Sequence, residues 1–265
     1  MPRIWRHIIN IAFGILLVSI LTGAYLLGSK GRQGILCKGT SITITDSSMN
    51  QFITPAQIRR YLDEEYPDYM GMPIDEIDLT RVEEILDEKT AVQKCQAYTT
   101  KDSLLNIKVT QRKPIVRFQK GDKGFYADKD GLLFPLQATY TSHVMVIDGN
   151  IPLKNADGYL GSPESDQDKQ WLRNMIGLVN YIESSKTWRG KIVQIHISEK
   201  GDIILIPRQG REQFLFGQAD NISEKFSKME IYYKSIQEDK GEGYYGLVDV
   251  RYEGQIVCSN QTKKN

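Results

Sequence analysis

Apolar and polar positions alternate over residues 104–110, where Leu105, Ile107 and Val109 are separated by Asn106, Lys108 and Thr110. That two-residue period predicts a strand with one buried face. Pro114 interrupts it, since proline offers no N–H to a ladder, and a second strand begins at once over residues 115–118. Asp130-Gly131 is a turn pair between residues 125–127 and 132–134, predicting a hairpin. The stretch 104–136 therefore reads as a seam, with one folded unit ending near Arg112 and another opening at Pro114.

Before the seam, Ile42 and Ile44 alternate with threonines in a short strand. Thr54-Pro55-Ala56-Gln57 combines a capping residue, proline at the first helical position and glutamine three after the cap. Ile58, Tyr61 and Leu62 mark that helix's apolar face, and Tyr66-Pro67 ends it. Asp78 or Thr80 caps a second helix carrying Val82, Ile85 and Leu86, and residues 92–98 and 104–109 form two strands joined by Lys101-Asp102-Ser103. The order is β-α-α-β-β.

Beyond the seam, residues 144–147 form an apolar strand. Trp171, Leu172, Met175, Leu178, Val179 and Ile182 recur at helical spacing, capped by Ser165 or Asp166. Residues 192–197 and 202–207 predict a hairpin, and 214–217 a further strand. Ile222, Phe226, Met229, Tyr233 and Ile236 mark a second amphipathic helix whose polar residues Glu224, Lys225, Lys228 and Lys234 read as a solvated face. Residues 247–258 fold back at Glu253-Gly254 as the last pair of strands, before a polar tail over 259–265 that is expected to be disordered.

At the other end, residues 8–27 form a 20-residue run without charge. As a helix at about 1.5 Å per residue it would cover roughly 30 Å, a bilayer's hydrocarbon core. The expectation is an uncleaved membrane span over 8–28 behind a short cytoplasmic tail, 1–7, rather than a signal peptide, whose apolar region is shorter. Arg3 and Arg6 oppose Lys30, Arg32 and Lys38 across it, so charge leaves its orientation undecided.

Composition narrows the function. The chain has 34 Lys+Arg against 33 Asp+Glu, and leaving out Arg3, Arg6 and Lys30 at the N-terminus makes this 31 against 33. No basic surplus asks for nucleic acid. Cys37, Cys95 and Cys258 make neither a disulfide framework nor a zinc set, and His7, His143 and His196 hold no ligand spacing. Asp128-Lys129-Asp130-Gly131 resembles the start of a calcium loop but has Thr139 at the twelfth position. Asp63-Glu64-Glu65 and Glu83-Glu84 have the patterning of solvated helix faces rather than a glycosidase pair. Neither a nucleophile elbow nor a phosphate-binding glycine loop occurs. An enzyme is not expected, nor is a cofactor or a metal.

Residues 35–112, as β-α-α-β-β, resemble a POTRA domain. The resemblance sharpens at Tyr98, at Gln111-Arg112-Lys113-Pro114-Ile115, at Phe125-Tyr126-Ala127-Asp128, and at Gly131 with Phe134-Pro135-Leu136. Together these resemble the cell-division family FtsQ/DivIB, in the variety of Bacteroidetes-type bacteria. Residues 250–252, Val-Arg-Tyr, stand where that family has Leu-Arg-Tyr, a mild departure. The expected architecture is α+β: a single N-terminal transmembrane helix, a POTRA domain, and an FtsQ-type β-rich domain over 113–258 with two amphipathic helices.

The resemblance implies a bitopic scaffold of the divisome in the cell inner membrane, its bulk periplasmic and enriched at the septum. Its partners would be coiled-coil proteins of the FtsB and FtsL kinds, bound by strand addition at the last sheet edge, and other divisome proteins. It places partner binding at Tyr252, Gly254, Ile256 and Cys258, on an exposed edge. Gln111, Arg112 and Pro114 are read as an interdomain joint, the first two as solvated residues ending a strand. The rival readings are a POTRA-containing accessory of envelope assembly or secretion, and a membrane-anchored cell-wall hydrolase.

Overall fold

The computed structural model describes residues 11–23, 34–45, 51–89, 91–121, 123–137, 140–153 and 159–260. The chain divides into two compact units, Met1–Gln111 and Arg112–Asn265. The expected membrane span is corrected. A helix α1 covers residues 11–23, and among the described residues no helix is long and apolar enough to cross a membrane. The remainder of the expected span, the 1–7 tail and residues 261–265 lie outside the described residues.

The first unit runs β1 (Gly39–Ile44), α2 (Pro55–Glu65), α3 (Leu79–Asp87), β2 (Val92–Thr100) and β3 (Leu104–Gln111). The sheet order is β1-β3-β2, with β3 parallel to β1 and antiparallel to β2. Helix α2 starts where its capping box closes. The Thr54 side chain accepts from the Gln57 N–H, and the Gln57 side chain accepts from the Thr54 N–H. Asp78 caps α3 by accepting from the Arg81 N–H. Ile58, Leu62, Val82 and Leu86 from the helices and Leu105, Ile107 and Val109 from β3 are all buried. Cys37 and Cys95 are free and buried, and β3 lies between the strands that carry or follow them.

Gln111 corrects the reading of a solvated strand end. It is fully buried, and its Oε1 accepts the Ile53 N–H at 3.0 Å. Arg112, the first residue of the second unit, is also buried rather than solvated, with Nη1 3.3 Å from Oδ2 of Asp128. Asp128 Oδ1 accepts the N–H groups of Asp130 and Leu132, so the motif that resembled a calcium loop is an Asx turn closing a hairpin.

The second unit is built on β4 (Pro114–Lys120), β5 (Lys123–Asp128), β6 (Leu133–Pro135), β7 (Met145–Gly149), α4 (Asp166–Ser184), β8 (Ile192–Ile197), β9 (Ile203–Pro207), β10 (Gln213–Gly217), α5 (Ile222–Ile231), β11 (Leu247–Asp249) and β12 (Val257–Ser259). Its nine strands lie in the order β12-β11-β10-β9-β8-β7-β4-β5-β6. Three adjacent pairs, β4/β7, β7/β8 and β10/β11, are parallel, and the last two are each joined by a helix, α4 and α5 respectively. Parallel neighbours need such crossovers. Both step the same way along strands of the same orientation, so a common handedness puts both helices on one face. Leu178, Val179 and Ile182 of α4 and Phe226 and Met229 of α5 there share one core with Val116, Ile147, Ile195 and Phe214.

The two sheet ends differ. At β6, Leu133 and Gly161 exchange both backbone hydrogen bonds, at 2.8 and 3.0 Å, so that edge is covered. At the other end β12 is the terminal strand, with no described strand beyond it. Ser259, assigned to the tail in the sequence reading, belongs to this strand.

Candidate functional site at the β12 edge

β12 pairs antiparallel to β11, matching Val248 to Cys258 and Asp249 to Val257. Of the four residues expected to bind a partner, Cys258 alone lies on β12. Ile256 lies just before it, and Tyr252 and Gly254 are in the turn. Gly254 has φ +64°, a left-handed conformation that glycine adopts without steric cost. Strand alternation then sorts the side chains. Ile256 and Cys258 pack partly buried against the core, opposite the buried Val248, whereas Val257 faces out at 47% exposure and Tyr252 at 51%. Val257 was not singled out in the sequence. Its only signal there was the alternation with Ile256 and Cys258.

The turn is held by α5, through side chains expected to be solvated. Lys228 is 6% exposed, and its Nζ donates to the carbonyl oxygens of Tyr252 at 2.6 Å and Val250 at 3.2 Å. Glu224, one helical turn earlier, lies 2.7 Å from the same ammonium. Its carboxyl is held below the usual range by Lys228, with a smaller contribution from the Gly254 backbone N–H. Lys225 is buried too; its Nζ donates to the Gln218 carbonyl at 2.8 Å and pairs with Asp220. The reason is the lysine stem, whose methylenes cover apolar surface while the ammonium finds polar atoms at its tip. Arg251 completes the frame, with Nε 3.0 Å and Nη2 2.7 Å from the two Asp249 oxygens and Nη1 3.2 Å from Asp202 on the β8–β9 turn.

Beside β12 lies a cavity of about 530 Å³ lined by Ile256 and Cys258 with Ser235, Ile236, Lys240 and Tyr245. Burial pushes the Cys258 thiol up, which leaves it protonated and apolar in character. The strand edge offers main-chain hydrogen bonds, and the cavity can take a side chain from an added strand. Gln111, Arg112 and Pro114 take no part in this arrangement: the first closes β3, and Pro114 opens β4. No group of metal-ligating side chains occurs among the described residues.

The chain is α+β, a three-stranded unit followed by a nine-stranded sheet with α4 and α5 packed into one core with it. The chain belongs to the FtsQ/DivIB C-terminal-related family, whose model matches residues 113–259. Residues 35–110 match a POTRA-like domain. A comparison with curated proteins finds no match. Family membership points to a role as a cell-division scaffold, in a family of non-catalytic proteins.

Proposed function

We propose that the protein is a non-enzymatic scaffold of the division machinery that recruits coiled-coil division proteins of the FtsB and FtsL kinds. A partner segment adds to β12 as a further strand, on the outer side of the cytoplasmic membrane. Tyr252, Val257 and the cavity beside Cys258 read its side chains, while Gly254 and the Lys228 contacts keep the turn in shape. The POTRA-like unit contributes to septal recruitment, so that the chain ties its partners to septal wall synthesis.

The observation that carries this reading is the contrast between the two sheet ends: β6 is covered by Gly161, and β12 is bounded by no described strand. Exposed strand edges are either protected or used, and here the end with no described strand beyond it sits beside a cavity in a family of division proteins. Depletion of the protein should give filamentous cells, and the full chain should co-purify with the two coiled-coil proteins. Normal septation on depletion would count against a division role. Unchanged co-purification after substitution of Val257 by aspartate would move the docking site elsewhere.

A further inference from the structure

Glu212 precedes β10 and is 1% exposed, yet among the described residues neither carboxylate oxygen has a partner at full hydrogen-bond geometry, the Tyr233 hydroxyl being the one donor turned towards it, and no cation pairs with it. A buried carboxylate left unpaired is strongly unfavourable, so a group in this position asks for a partner. It lines a cavity of about 600 Å³, within the roughly 300–1,000 Å³ usual for small-ligand sites. Gly210, at φ +93°, leaves the carboxylate its room, because a Cβ there would collide with both oxygens. Tyr233 lines the same cavity; its hydroxyl is driven up in pKa first by burial, then by the charge of Glu212 and its hydrogen bond to that carboxylate.

Three cations share the wall, Arg189, Lys191 and Arg208, and none reaches Glu212. Arg208 Nε donates to the Gly190 carbonyl at 2.8 Å, and the acid paired with Arg189 is Glu183 at 3.6 Å. Lys191 has no ion pair among the described residues. The cavity thus holds one buried acid, Glu212, an exposed one, Glu242, and a separate set of positive groups. We propose that it binds a small zwitterion: an ammonium or guanidinium group on Glu212 and the Tyr233 hydroxyl, with a carboxylate held by Lys191, Arg208 and Arg189. Free basic amino acids have this chemistry, as does a basic residue at a peptide C-terminus. The site is separate from β12, and its ligand does not depend on the division reading.

Calorimetric titration of the full chain with L-arginine, agmatine and Gly-Gly-Arg tests it. Saturable 1:1 binding of L-arginine or of the tripeptide is expected. Arginine without the tripeptide marks the free amino acid, and the tripeptide alone marks a peptide end. Glu212→Gln should weaken binding at least tenfold while leaving the protein folded, as removal of an unpaired charge predicts. Lys191→Ala should weaken the carboxylate-bearing probes and spare agmatine, a split that decides the matter even if the Glu212 variant does not fold. Failure of both L-arginine and the tripeptide to saturate the wild type would overturn the proposal, as would equal affinity in wild type and both variants.

Discussion

Lys228 Nζ lies 2.6 Å from the carbonyl oxygen of Tyr252, a residue 24 positions further along the chain. A single buried ammonium on α5 thereby sets the path of the turn from which the terminal strand departs. Replacing Lys228 by methionine keeps the stem but strands two carbonyls and Glu224. The expected cost is about 3 kcal/mol, read by chemical denaturation, together with loss of partner capture. Wild-type stability in that variant would show that the contact organises nothing.

Val257 faces solvent on β12, so an aspartate there should change stability by no more than about 0.5 kcal/mol. Partner capture should fall at least tenfold, as judged by co-purification with the coiled-coil proteins. An aspartate at Val248, which is fully buried on the neighbouring strand, should instead unfold the domain.

Arg112 and Asp128 form a buried pair 3.3 Å apart. Removing the arginine alone leaves the carboxylate uncompensated, and Arg112→Ala should lose about 3–5 kcal/mol. Asp128 also closes the hairpin turn, so a double variant should recover only part of that loss. Denaturation of the four members of the cycle measures the coupling.

The acid side of the pH profile follows from Glu224 and Asp220, whose carboxyls are lowered by hydrogen bonds from Lys228 and Lys225. Folded values below the unfolded ones mean that these groups stabilise the protein above the ordinary carboxylate values, 4.5 and 3.8. That stabilisation fades as pH falls through the lower, folded values. The protection factor of the Gly254 amide, corrected for the intrinsic exchange rate, should therefore fall at acid pH before those of the β3 amides. In Glu224→Gln the acid step should shrink.

The thiols should separate by location. Burial, followed by the charges of Asp87 and Glu83, pushes Cys95 up to about 12, and Cys37 is buried as well. An alkylating reagent at pH 8 should modify neither without unfolding, whereas the half-buried Cys258 should react slowly. Bound partner should protect Cys258. Labelling that is indifferent to the partner would argue against docking at this edge.

Much of the architecture was legible because it depends on local pattern. Thr54 and Gln57 announce α2, the alternation of Leu105, Ile107 and Val109 announces β3, and Leu172 to Ile182 announce the buried side of α4. Those features rest on a cap, a two-residue period and a 3.6-residue period, all written within a few positions. The N-terminal run shows the limit of composition: hydropathy gave a span over 8–28, and among the described residues no helix is long and apolar enough to cross a membrane.

By itself the sequence determined which segments become helix or strand and where the chain divides its apolar faces. Tertiary structure decided the roles of polar residues whose partners are far along the chain: Gln111 beneath the Ile53 N–H, Lys228 under the turn at Tyr252, Glu212 beside Tyr233. It also decided that β12 is the last strand of the sheet among the described residues and that Val257, rather than Cys258, faces outward. Periodicity assigns a charged residue to solvent because it counts only neighbours on one element. Burial of an ammonium depends on carbonyls supplied by another segment, and only the assembled fold brings them within hydrogen-bonding distance.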